Sequence, residues 1–232
     1  SVLLQGFAPA GTCNTAGCNF TGIGGGAFGG GDLADSSGIL RYVLFENIAQ
    51  FPQNGGPTLA LMGVGSGTEL SHIVIDGSGS RGVYISGGAA HIDHLGITGT
   101  FGDSLSWNDG YKGSMQFVVI DMGEQQQGDG IFAASNGVDV FASTVSDAQR
   151  SVPTLANVTI YNGAAGDSVA YNITNSGLLV FDSVIMRGST SAEPFESCGI
   201  GIAGPNLQGL GTWLLAERII ADCQGGPGVG YF

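Results

Sequence analysis

Three histidines and a scatter of carboxylates are the side chains in this chain best suited to chemistry. His72 and His94 lie 22 residues apart, and His91 comes three residues before the second of them. Two imidazoles brought one strand spacing apart, with His91 as a third donor, would make a candidate copper or zinc site. Asp76 with Asp121, and separately Asp103 with Asp109 and Asp129, are candidate oxygen donors for calcium, which takes several carboxylate and carbonyl ligands. Trp107 and Tyr111 flank that second group, where they suit either a sugar-stacking platform or the pinning of a long loop onto the body. Acid–base work on a polysaccharide needs paired carboxylates, for which Asp76, Asp93, Asp103 and Asp121 are the candidates. The sequence has no Gly-x-Ser-x-Gly nucleophile elbow, and its single lysine, Lys112, lies between Gly110 and Gly113 in a turn-like setting.

These residues meet only if the fold stacks positions about 22 apart, and a repeat in the sequence does so. The pattern apolar-x-x-apolar-x-apolar occurs as Leu40, Val43, Phe45; Leu70, Ile73, Ile75; Ile92, Leu95, Ile97; Met115, Val118, Ile120; Leu155, Val158, Ile160; Phe181, Val184, Met186; and, more weakly, Ala216, Ile219, Ala221. Start-to-start spacings are 30, 22, 23, 40, 26 and 35 residues, a unit of about 22 with insertions. Short hairpin loops between alternating runs are missing, which argues against propellers and sandwiches. The repeat instead fits a right-handed parallel β-helix of about seven or more coils, with further short strands at 58–64, 130–134 and 138–143. Stacking the third position of each copy gives one column: Tyr42, His72, His94, Phe117, Asn157, Ser183, Arg218. The position after the last apolar residue gives another: Glu46, Asp76, Thr98, Asp121, Tyr161, Arg187, Asp222.

Composition agrees with a solenoid. Glycine makes up 43 of 232 residues without a three-residue period, so the chain is rich in turns and is not collagen-like. A hydrophobic share of 43% against 11% charged disfavours disorder. The net charge of −13 rules out the basic patch that nucleic acid or an anionic membrane face would require. No apolar run reaches the ~20 residues of a membrane span. Residues 1–37 read as a Gly-rich cap or assembly segment, 38–198 as the helix core, and 199–232 as a terminal coil and cap. The cysteines fall as local pairs, Cys13 with Cys18 and Cys198 with Cys223. With no CxxC spacing, two disulfides pinning the ends are a simpler reading than zinc or free thiols, and they imply an oxidising compartment. The start Ser1–Gly6 carries no basic export segment, consistent with a leader already removed. Sequons begin at Asn19, Asn157 and Asn172.

The stretch from Gly102 to Phe117, GDSLSWNDGYKGSMQF, resembles a motif of bacterial surface-exposed or secreted β-helix proteins, often lipoproteins. The stretches at 38–43, 63–68 and 153–159 are similar to the same family in the same order. This resemblance implies a secreted right-handed parallel β-helix and brings no catalytic residues with it. The acidic run is thinner here and the chain shorter than is usual in that family, as expected of a processed or minimal version.

The leading expectation is therefore an extracellular, non-catalytic structural or adhesive β-helix of a bacterial cell surface. Its partners would be further copies of itself, joined head to tail through strand edges into a filament, or surface glycans. The alternatives are a polysaccharide lyase or hydrolase and a copper- or zinc-binding surface protein. Calcium is the one cofactor the residues suggest.

Overall fold

A computed structural model describes residues 1–11, 18–19, 26–48, 56–134, 150–163, 168, 170–174, 176, 178–187, 200–203, 214–222 and 230–231. Their strands, numbered in chain order, are nearly all parallel. Short strands β1 (Val2–Gln5), β5 (Leu59–Met62), β7 (Val83–Ser86), β9 (Leu105–Asn108), β11 (Ile131–Ala134), β13 (Tyr171–Thr174) and β15 (Ile200–Ala203) pair in that order into one parallel sheet. Long strands β4 (Ile39–Ile48), β6 (Glu69–Ser78), β8 (His91–Thr100), β10 (Ser114–Met122), β12 (Thr154–Asn162), β14 (Leu178–Arg187) and β16 (Leu214–Asp222) form the second, which β17 (Gly230–Tyr231) closes antiparallel to β16. A two-residue ribbon, β2 (Cys18–Asn19) with β3 (Ala27–Phe28), completes the set. The chain alternates between the sheets, so the molecule is a parallel β-helix. Among the described residues no helix is long and apolar enough to cross a membrane.

The repeated pattern has a direct backbone cause. A flat strand sends alternate side chains to opposite faces, which would put Leu70 inside and Ile73 outside. Instead each long strand has a left-handed residue in its interior: Tyr42, His72, His94, Phe117, Asn157, Asp182 and Arg218, with φ between 52° and 57°. That residue drops out of the pairing register, turns the strand, and shifts the alternation by one position. Leu70, Ile73 and Ile75 consequently all face the core, as do their counterparts in β8, β10 and β12. A non-glycine residue in this conformation costs roughly 1–2 kcal/mol. Each inward aliphatic side chain it permits contributes about 1.5–3 kcal/mol, so the corner is favourable overall.

Further left-handed positions turn three of the coils: Asn47, Gly77 and Gly99 next to the ends of β4, β6 and β8, and Gly63, Gly87 and Asp109 just after β5, β7 and β9. Residues 6–11 run across this last corner, with Ala8 N donating to Gly63 O and Gly88 N to Pro9 O. Gly87 combines a φ of 63° with a close approach of Ala10, which a Cβ would overlap. Ala10 and Phe28 pack on Ala60 and Met62, covering the outer side of the short-strand sheet. The long-strand sheet keeps its outer side exposed.

β1 is a member of the short-strand sheet, and both sheets continue beyond residue 198. The sixth copy of the pattern shifts by one position. Val180, Ser183 and Ile185 align with Leu155, Val158 and Ile160, while Phe181 and Met186 face outward. Ser183 occupies an interior position because the buried Tyr171 hydroxyl lies 2.8 Å from its Oγ. The stacked columns accordingly hold Asp182 in place of Ser183 and Met186 in place of Arg187. Cys13, Cys198, Cys223 and the candidate strand at 138–143 lie outside the described residues; Cys18 is in β2, its side chain not described.

This register predicts that Ile185→Ala lowers unfolding stability by about 2–5 kcal/mol in urea, whereas Met186→Ala, at a position 39% exposed, changes it by at most ~0.5 kcal/mol. The reverse ranking would restore the unshifted pattern, with Phe181, Val184 and Met186 inward.

Candidate functional site

The exposed side of the long-strand sheet carries a ladder of rings at its left-handed corner. Tyr42 stacks on His72 with centroids 4.5 Å apart, His72 on His94 at 4.5 Å and 9° between planes, and Phe117 follows His94 at 4.8 Å. Pairwise stacking of roughly 0.5–1.5 kcal/mol offsets much of the cost of the strained backbone beneath. Beyond Phe117 the ladder changes character. Gln116 Nε2 donates to Asn157 Oδ1 at 3.1 Å, and Arg218 grips Asp182 with two nitrogens, Nη2–Oδ2 being 2.9 Å. Hydrogen bonds from that guanidinium, together with its charge, hold the Asp182 carboxyl below its ordinary pKa.

Two residues along each strand lies a second outward column, Leu44, Val74, Gly96 and Val119, paired across β4, β6, β8 and β10. Three of these four side chains are aliphatic at positions where an amphipathic strand would carry polar ones. The fourth is glycine and leaves a notch. Ring ladder and aliphatic column together border a shallow groove of about 540 Å³, with His94 beside the Gly96 notch. Of the large hydrophobic side chains exposed among the described residues, most lie on this sheet, led by Tyr42 at 76%. Such a contiguous apolar surface marks an interaction site. Because the rings lie face to face, the stack shows solvent mainly its edges, which for an imidazole carry the ring nitrogens. A neighbouring depression of about 460 Å³ lies on the other side of the ladder and is bordered by Arg41, Glu69, His91 and Asp93.

The structure brings His72 and His94 together as their spacing implied, in an arrangement that does not suit one shared ion. The in-plane lone pairs of parallel stacked rings run side by side and do not converge. His91 is turned to Ser114, with Nδ1 2.7 Å from its Oγ, and His94 Nδ1 is 2.8 Å from Asp93 Oδ2. Among the described residues no group of three or more His, Cys, Asp or Glu is placed to hold a metal.

The carboxylates proposed for calcium are kept apart. Asp76 and Asp121 sit on β6 and β10, separated by Thr98 of β8. Asp103 and Asp109 bracket β9, about 20 Å of extended chain apart. Each has a local task. Asp103 accepts from Arg81 Nε at 3.2 Å and from the Asp129 amide at 3.1 Å, while Asp129 accepts from Asn172 Nδ2 at 2.8 Å. Asp109 is a left-handed corner residue whose Oδ2 accepts from Ser86 Oγ at 2.7 Å. These residues do not fit a shared calcium ion.

Trp107 and Tyr111 are not a sugar platform, being 1% and 0% exposed. Alternation along β9 sends Leu105 and Trp107 into the core, where the indole N–H donates to Ser176 at 3.3 Å. The Tyr111 hydroxyl donates to Ala90 O at 2.9 Å, and burial pushes its phenol far above the ordinary pKa, so it remains a donor. Ser151 Oγ accepts from the amides of Gly110 and Tyr111, both at 3.1 Å, and fixes the loop that turns the ring inward.

A family model described as a pectate-lyase-like β-helix domain matches residues 2–197. The chain belongs to that family. No curated protein and no solved structure matches it. The match spans the ladder and the groove, and therefore joins them to a scaffold named after a polysaccharide-cleaving enzyme.

Leu44, Val74, Gly96 and Val119 were missed as candidates because they occupy the x positions of the repeat. Their signal is nonetheless present in the triplets Val43-Leu44-Phe45, Ile73-Val74-Ile75 and Val118-Val119-Ile120, against Leu95-Gly96-Ile97.

Tyr111→Phe is expected to cost about 1–3 kcal/mol in urea unfolding, since it leaves the buried Ala90 carbonyl short of a donor. Unchanged stability would show that the hydroxyl's bond to Ala90 contributes nothing to the fold.

Proposed function

We propose that this protein is an extracellular, non-catalytic polysaccharide-binding β-helix that works at a cell surface and holds a glycan chain in the groove beside the ring ladder. The observation that carries this reading is the exposed groove itself, with aliphatic side chains on one side and imidazole edges on the other. Pyranose rings have the same split character, with apolar C–H faces and hydroxyls that donate and accept. Membership in the pectate-lyase-like β-helix family supports a polysaccharide as the ligand. Adhesion follows naturally from a long rigid scaffold with one side covered by residues 6–11 and 26–37 and the other left exposed.

The geometry gives binding more support than turnover. Glu69 is ion-paired with Arg41 and Asp103 with Arg81, and Asp93 is hydrogen-bonded to His94, so these three carboxylates each have a partner. Engaged in this way, they do not form the free carboxylate pair that glycoside hydrolysis uses.

Gly96→Val is the decisive variant. Gly96 has ordinary strand geometry, and a Cβ there would meet Val74 only at 3.7–4.0 Å, so valine fits the fold while filling the notch. Glycan arrays followed by calorimetry should find a ligand for the native chain. Gly96→Val should weaken that ligand at least about tenfold, the loss of one good apolar contact, with an undiminished melting temperature. Binding that survives this change defeats the reading. Release of reducing ends or unsaturated products from the bound glycan would show an enzyme instead.

A further inference from the structure

We infer that the glycan held in this groove is a neutral chain of equatorially substituted pyranoses and not a polyuronate, despite the pectate-related scaffold; the inference rests on the proposed reading and specifies its ligand. Charge along the groove carries the argument. Outside the aliphatic column, two residues farther along each strand, runs the register column Glu46, Asp76, Thr98 and Asp121. Its three carboxylates are exposed and lie about 7 Å from the aliphatic column, the length of two strand residues. That distance is within the Debye length of about 8 Å at physiological ionic strength, so their field reaches a bound sugar.

On the other side of the ladder the adjoining depression adds Glu69 and Asp93. Arg41 is the one guanidinium bordering either depression, and Glu69 already pairs with it. The His94 imidazole is engaged by Asp93. A polymer lying along the ladder thus runs beside a row of exposed carboxylates on one side and the already partnered Glu69 and Asp93 on the other, with no lysine or arginine but Arg41 among the residues lining the two depressions. A polyuronate brings one further negative charge with every sugar and is repelled.

A neutral pyranose chain gains from the same arrangement. Its C–H faces cover Leu44, Val74 and Val119, and its hydroxyls donate to the rim carboxylates, which are the stronger kind of hydrogen-bond acceptor. Equatorial substitution matters because it leaves the axial C–H groups clear on both ring faces, flat enough for a groove this shallow.

The test is calorimetry on the intact chain at pH 7.5 and physiological salt. Cello- and xylo-oligosaccharides are compared with an oligogalacturonate of equal length, each with and without added calcium. A neutral oligosaccharide should bind at least about tenfold more tightly than the oligogalacturonate in both conditions. Asp76→Asn combined with Asp121→Asn should narrow that ratio by strengthening oligogalacturonate binding. If the oligogalacturonate binds as tightly or more tightly, with or without calcium, and Gly96→Val abolishes it, the charge inference is overturned while the binding groove stands. If the ratio does not respond to the double variant, the column Glu46–Asp76–Asp121 is not its cause and the inference is again overturned. If neither class binds, or Gly96→Val leaves binding intact, the groove is not the site and both readings fall.

Discussion

The left-handed residue in the middle of each long strand is the constraint on which the rest of the structure depends. Without it a strand alternates strictly, and Leu70 and Ile73 could not both be interior. With it, each coil turns inside a single hydrogen-bonded strand and keeps three inward side chains. The corners then stack, because parallel pairing holds equivalent residues of successive coils one strand spacing apart. A position that is individually unfavourable for anything but glycine or asparagine thereby becomes a place where side chains support one another. Tyr42, His72, His94 and Phe117 do so through their rings, and Asp182 with Arg218 through an ion pair.

The same corner creates the exposed surface. Rings that stack at a convex edge leave their rims toward solvent, and the strand immediately beyond presents the aliphatic column. The other sheet is covered at its first strands by the N-terminal segment, whose Ala10 and Phe28 pack on Ala60 and Met62. An asymmetric prism results, with one side committed to its own fold and the other to whatever it meets. Glycine at position 96 leaves a notch in that open side, which the rings and the aliphatic column border as a groove.

Much of this was legible in the sequence, for identifiable reasons. The interior pattern recurs because burial tolerates few residue types, so the class of fold and the stacking of His72 on His94 follow from spacing alone. The sixth copy was misread by one position because Ser183 replaces an expected aliphatic residue. Its partner, the Tyr171 hydroxyl, comes from a different strand twelve residues earlier, a contact no local pattern can display. Asp103 and Asp109 looked like a paired site because six residues separate them; the strand between them is extended, so they end up at opposite ends of it.

What the sequence determined by itself was the period and, in every copy but the sixth, the inward residues and the columns in which outward residues stack, since these follow from the two-residue alternation and its one-residue shift at each corner. Only the tertiary structure decided which columns face water. Trp107 and Tyr111 have the composition of a binding platform and became core, because alternation along β9 and the Ser151 clasp turned them inward. Leu44, Val74 and Val119 have the composition of core and became surface, because inward positions on either side of each were already filled by the repeat. Apolar character is a property of the residue, but the side on which it lies is set by the phase of the strand against its neighbours, and that phase exists only once the coils have stacked.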